Sequence, residues 1–110
     1  MRTSEVVTRK PDLIKIMKAL ASPVRLEALH LLKNPVANFP SQVDGDLLED
    51  GVCADFMREA LGIAAATASR HLTLLAESGL LIATRKKGWT FYRRDERAIR
   101  ELAKRLRSEL

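Results

Sequence analysis

Residues 61–81 read LGIAAATASRHLTLLAESGLL, a stretch punctuated by two glycines. Gly62 can take the left-handed conformation that closes a helix, and Gly79 stops the segment between them. Over residues 65–78, a helical wheel puts Ala68, Leu72 and Leu75 on one side and Ala66, Ser69, Arg70 and Thr73 on the other. The first side is a core face, and the second is free to meet a partner. Just upstream, Phe56, Met57, Ala60 and Leu61 recur at helical spacing, so a short helix is expected over Cys53 to Leu61. A turn of about three or four residues separates the two, which is helix-turn-helix spacing.

Working outward, Leu80 to Thr84 and Trp89 to Arg93 are runs of branched and aromatic residues around Lys87 and Gly88, and they predict a β-hairpin. Asp95 can cap a last helix whose apolar stripe is Ala98, Ile99, Leu102, Ala103, Leu106 and Leu110. On the upstream side, Pro11 suits a first helical turn, and Leu13, Ile14, Ile16, Met17 and Leu20 give one amphipathic helix. Ser22 and Pro23 start a second, carried by Val24, Leu26, Leu29, Leu31 and Leu32 and ending near Lys33 and Asn34. Residues 35–51 hold prolines, glycines and acids without a steady period, so a loop is expected there, with one helical turn over Asp46 to Glu49. The predicted fold is mainly α with a small β-hairpin, in the order helix, helix, helix, helix, hairpin, helix.

At 110 residues the chain allows one compact domain. We place it over residues 11–110, with residues 1–10 as a flexible N-terminal arm. Hydrophobic residues make up 46% of the sequence, yet no apolar run approaches the roughly 20 residues of a membrane span. No membrane partner is expected, and with no secretory signal in the first residues a cytoplasmic location is the expectation. A single cysteine, Cys53, can form no internal disulfide and cannot alone supply the ligands of a structural zinc site. Neither a metal nor a cofactor is expected. The net charge of +5 favours acidic partners, and its distribution is uneven. Ten basic residues stand against four acids between Arg85 and Leu110, whereas six acids stand against Arg58 alone between Asp44 and Glu59. The second segment should avoid a phosphate backbone.

Three separated motifs carry a resemblance: ALASPVRLEALHLL at 19–32, LGIAAATASRHLTLLAESGLL at 61–81 and TRKKGWTFYRR at 84–94. In this order the chain resembles the ArsR/SmtB family of winged helix-turn-helix repressors over about residues 12–107. The resemblance implies a homodimeric transcriptional repressor that binds double-stranded DNA, with the helix over 65–78 in the major groove and the hairpin as a wing. Ala64 to Ala66 depart from the family's habit of placing serine, often followed by glutamine, at the start of this helix. Two alanines touch only apolar features such as thymine methyls, so few hydrogen bonds to base edges are expected.

The residues expected at DNA are Ala65, Ala66, Thr67, Ser69, Arg70 and Thr73 on the helix and Arg85, Lys86 and Lys87 on the wing. Arg70 is the first choice for base reading, because its fork matches guanine O6 and N7. The wing cations suit a phosphate backbone, although basic residues also protect strand edges from pairing. Leu13, Ile14 and Met17 with Ile99, Leu102 and Leu106 form faces wider than one small core needs, and they are expected to pack against a second copy. Twofold-related reading helices about 34 to 36 Å apart can then read two half-sites.

Cys53 is a candidate thiol sensor, since amides of a first helical turn favour a thiolate and related arsenic and cadmium sensors have cysteines nearby. Those sensors use two or more thiols, whereas Asp55 stands here where a second would be. The plain alternative is a small, partly buried hydrophobe. His30 and His71 are weak ligand candidates, and neither sits beside a nucleophile or a glycine loop that would suggest an enzyme. Two alternatives stay open: a thiol- or metal-responsive regulator acting through Cys53, and a winged-helix module that binds a protein through Asp44 to Glu59 or the last helix. These residues name no inducer, small-molecule or redox.

Overall fold

The computed structural model describes residues 12–110, so Pro11 and the arm expected over residues 1–10 lie outside the described residues. Helix α1 (Leu13–Leu20) opens on Asp12, whose Oδ1 accepts from the Ile14 amide at 3.0 Å. Helix α2 (Pro23–Lys33) opens on Ser22, whose Oγ accepts from the Arg25 amide at 3.2 Å, and Pro23 occupies the first turn, where no amide is needed. The next elements are a single-turn helix α3 (Pro35–Asn38), strand β1 (Val52–Cys53), helix α4 (Ala54–Leu61) and helix α5 (Ala65–Glu77). Strands β2 (Leu81–Lys86) and β3 (Trp89–Arg94) and the long helix α6 (Glu96–Glu109) complete the chain, with Asp95 Oδ1 capping α6 through the Ala98 amide at 3.0 Å. None of these helices is long and apolar enough to cross a membrane.

One core receives a face from each long helix and from the sheet. Ala28, Val52, Met57, Leu72 and Leu75 have no exposed surface, and Ile16, Leu32, Leu80, Leu81, Tyr92 and Leu102 close around them. Burying a side chain of the size of Leu72 or Met57 contributes about 1.5–3 kcal/mol, so the inner side of α5 anchors it firmly.

Three features differ from the sequence expectation. The hairpin is a three-stranded antiparallel sheet in the order β1-β3-β2, because Val52 pairs with Tyr92 and Cys53 with Phe91. A two-residue strand has no alternation to read, and here its pairing depends on Gly51. That residue sits at φ +107°, and a Cβ on it would lie 2.3 Å from the Tyr92 carbonyl oxygen. Residues 35–51 are also less irregular than expected. Their helical turn forms at Pro35–Asn38, whereas Asp46 to Glu49 make a non-helical turn in which Asp46 Oδ2 accepts from the amides of Leu48 and Glu49 at 3.0 and 2.8 Å. The helix expected from Cys53 begins one residue later. Cys53 belongs to β1 and caps α4 with its sulfur, which accepts from the Phe56 amide at 3.5 Å.

The β2–β3 turn has positive φ at both central residues, Lys87 at 53° and Gly88 at 81°, as a two-residue hairpin of matching twist demands. It projects the basic run 85–87 beyond the core.

Candidate nucleic-acid interface

Helix α5 stands on the core by Ala68, Leu72 and Leu75, which leaves Ala65, Ala66, Ser69, Arg70 and Thr73 exposed and Thr67 half-buried. The exposed side is therefore nearly neutral, with Arg70 as its one cation. Its N-terminus is capped by Ala64 without a side-chain hydrogen bond, so the free amides of the first turn face outward. Gly62, left-handed at φ 68°, closes α4 and sets the turn between the two helices.

A guanidinium holds α5 from behind. Arg25 on α2 donates from Nε to the Ala19 carbonyl at 2.6 Å and from Nη2 to the Lys18 carbonyl at 3.2 Å, and its Nη1 lies 2.9 Å from His71 Nδ1. Arginine can only donate, so Nδ1 of His71 accepts and the ring proton sits on Nε2. Burial lowers the His71 pKa, and the charges of Arg25 and Arg70 lower it further. His71 is thus a neutral acceptor that, through Arg25, ties α5 to the end of α1. Its partner Arg25 had no role in the sequence reading; the only trace of it is its place in the 19–32 motif.

The wing is not a free row of cations. Lys86 Nζ lies 3.1 Å from Asp50 Oδ2, Lys87 Nζ lies 3.9 Å from Asp44 Oδ1, and Arg85 donates to Thr90 Oγ1 at 3.4 Å. Asp50 also accepts from the Asp46 amide at 2.8 Å, which lowers its pKa most, with Lys86 adding to the effect. The acidic segment expected to keep clear of a phosphate backbone is thus folded against the very lysines expected to touch one. Exposed pairs of this kind are worth about 0–1 kcal/mol, so they can exchange partners readily. Tyr92, whose pKa burial raises against the opposing influence of Thr73 and Arg85, joins the base of the wing to α5.

Between the start of α5 and the wing runs an open cleft of about 420 Å³, bordered by Arg58, Ala65, Gly88, Trp89 and Thr90. Arg58 pairs with Asp55 at 2.9 Å on the α4 wall. Neutral helix, cationic wing and intervening cleft together form a surface that a duplex could span.

No family model matches the chain. An HTH-type transcriptional regulator of Bacillus subtilis, YbzH, is 38% identical over 97 residues, covering 88% of this chain and 97% of the relative. This chain is an HTH-type transcriptional regulator with a winged helix-turn-helix fold. Two solved structures from Mycobacterium bovis share the fold. The solution structure of a homodimeric winged helix-turn-helix DNA-binding domain, described as a possible ArsR-family regulator, has a TM-score of 0.64 at 25% identity, over 93% of this chain and 82% of that one. The crystal structure of a possible transcriptional regulatory protein has a TM-score of 0.61 at 27% identity, over 93% and 91%.

The six apolar residues expected to join two copies of the regulator are divided by the structure. Ile14 and Met17 on α1 are 62% and 40% exposed, whereas Leu102 is 8% exposed and belongs to the chain's own core. Leu13, Ile99 and Leu106 are half-buried against that core. Among the described residues, no group of three or more histidines, cysteines and carboxylates could hold a metal ion. Cys53 is 7% exposed, Asp55 is exposed and paired with Arg58, and His30 points to solvent.

Proposed function

We propose that this DNA-binding transcriptional regulator is a cytoplasmic homodimeric repressor, not an enzyme, that lays α5 in successive major grooves and both wings on the flanking backbone. The observation that carries this reading is the neutral exposed side of α5 standing across a cleft from three wing cations. Arg70 is the base-reading residue, with Ala65, Ala66, Thr67, Ser69 and Thr73 beside it, while Arg85, Lys86 and Lys87 neutralise phosphates. Dimerisation runs through Ile14 and Met17 of α1 with the α6 face of Ile99 and Leu106, and it is supported by the homodimeric state of the similar M. bovis domain.

The test is duplex affinity measured against salt on protein-bound genomic fragments. Affinity should fall with a slope of about −0.9 per phosphate contact in log terms, and Arg70→Ala combined with neutral residues at 86 and 87 should abolish binding. Affinity that ignores both salt and those substitutions would overturn the reading, and a monomer at micromolar concentration by light scattering would overturn its dimeric part.

A further inference from the structure

A second cavity, of about 200 Å³, lies beside the wing and shares Trp89 with the DNA-facing cleft. Gln42, Val43, Cys53, Phe56 and Phe91 form most of the rest of its wall, which Ser41 and the carboxylate-bearing Asp44 complete. Three aromatic rings around one small hollow give it an apolar interior. Its rim is unusually wet for such residues, with Trp89 46% and Val43 99% exposed. Scattered exposed apolar residues are normal, but an apolar concavity with an aromatic rim is the form that small-molecule sites take.

The hollow is built rather than incidental. The Gln42 side chain donates to the Gly45 and Gly51 carbonyls at 3.3 and 2.9 Å and accepts from the Cys53 amide at 2.7 Å, so it pins the loop on both sides. Gly45 lies flat on Phe91, where a Cβ would come within 2.4 Å of the ring. The loop is thereby held over the hollow instead of collapsing into it. Gln42 has committed its amide and no cation lines the cavity, so a carboxylate or phosphate would find no partner, while the one lining carboxylate, Asp44, already faces Lys87 at 3.9 Å. A dry cavity of about 150 Å³ accommodates benzene, which scales this one to a substituted single ring or a compact fused pair.

We propose that this cavity is an effector site for a small uncharged aromatic molecule, whose occupancy presses Trp89 toward the cleft and weakens DNA binding. The coupling rests on the DNA-binding reading above, whereas the site itself does not. The same loop carries Asp44 and Asp50, the partners of Lys87 and Lys86, so a ligand that shifts it also disturbs the wing cations.

The experiment uses the full chain, isotope-labelled and titrated with indole by nuclear magnetic resonance, alongside the affinity of a generic duplex at low salt. Saturable shifts should centre on the Gln42 side-chain amide, the Cys53 amide and the Trp89 ring N–H, and saturating indole should weaken duplex binding by about fivefold or more. Trp89→Ala removes the half-exposed ring of the rim and leaves the buried core untouched, and both effects should be lost in it. Shifts that do not saturate, that lie elsewhere or that persist in Trp89→Ala overturn the site. Local saturable shifts with unchanged duplex affinity overturn the coupling. Absence of duplex binding with or without indole sinks the DNA-binding reading and leaves the indole result to judge the site.

Discussion

Helix α5 and the wing meet the same partner in the proposed complex, yet they are built on opposite terms. The exposed side of α5 carries Arg70 among alanines, serine and threonines and stands on fully buried leucines. The wing carries three adjacent cations, two of which are held by acids from a distant loop. One region is rigid and nearly uncharged, and the other is charged and internally balanced. In the proposed complex, selectivity would be concentrated in shape and a single guanidinium, while overall affinity would depend on how the wing lysines divide themselves between protein carboxylates and phosphates.

The comparison breaks most severely if α5 loses its footing. Leu72→Ala should destabilise the fold by about 2–5 kcal/mol in urea unfolding, since a fully buried leucine leaves a cavity under the reading helix. A smaller effect separates the two regions directly. Arg70→Ala should cost about 1–3 kcal/mol on the preferred duplex and relax preference at one base pair, whereas Lys87→Ala should weaken all duplexes alike and make the salt slope shallower by about 1. Competition binding with scrambled duplexes distinguishes the two.

The balanced character of the wing predicts a gain. Asp50→Asn removes the carboxylate from Lys86, so duplex affinity should rise by about 0.2–1 kcal/mol and depend more steeply on salt. Unchanged affinity would mean that the pair does not compete with phosphate. The smallest effect concerns pH. Because the folded His71 pKa lies below its ordinary 6.5, the unfolded chain binds more protons as pH falls through that value. Stability is fully present above about pH 6.5 and declines below it, and His71→Gln should flatten the urea midpoint between about pH 7.5 and 5.5.

The helices and their faces were legible because periodicity and caps are local. Ala68, Leu72 and Leu75 sit on the core side as the wheel placed them, Asp95 and Ser22 cap the helices they precede, and Lys87 and Gly88 form the turn. What escaped depends on residues far apart in the chain. Strand β1 exists through its pairing with β3, and nothing within Val52–Cys53 signals it. The contact of Arg25 with His71 spans 46 positions, and that of Lys86 with Asp50 spans 36. The acids of 44–50 were visible as charge, but only tertiary folding sets them against the wing. Leu102 looked like the other apolar residues of its stripe, and it is the one the chain keeps for its own interior.

The Arg25 guanidinium bonds two carbonyls at the end of α1 and one ring on α5. It works as a rivet between α1 and α5. In the proposed dimer a second copy seated on α1 therefore bears on the tilt of both α5 helices through this rivet and the core beneath it, and with it on the spacing of half-sites.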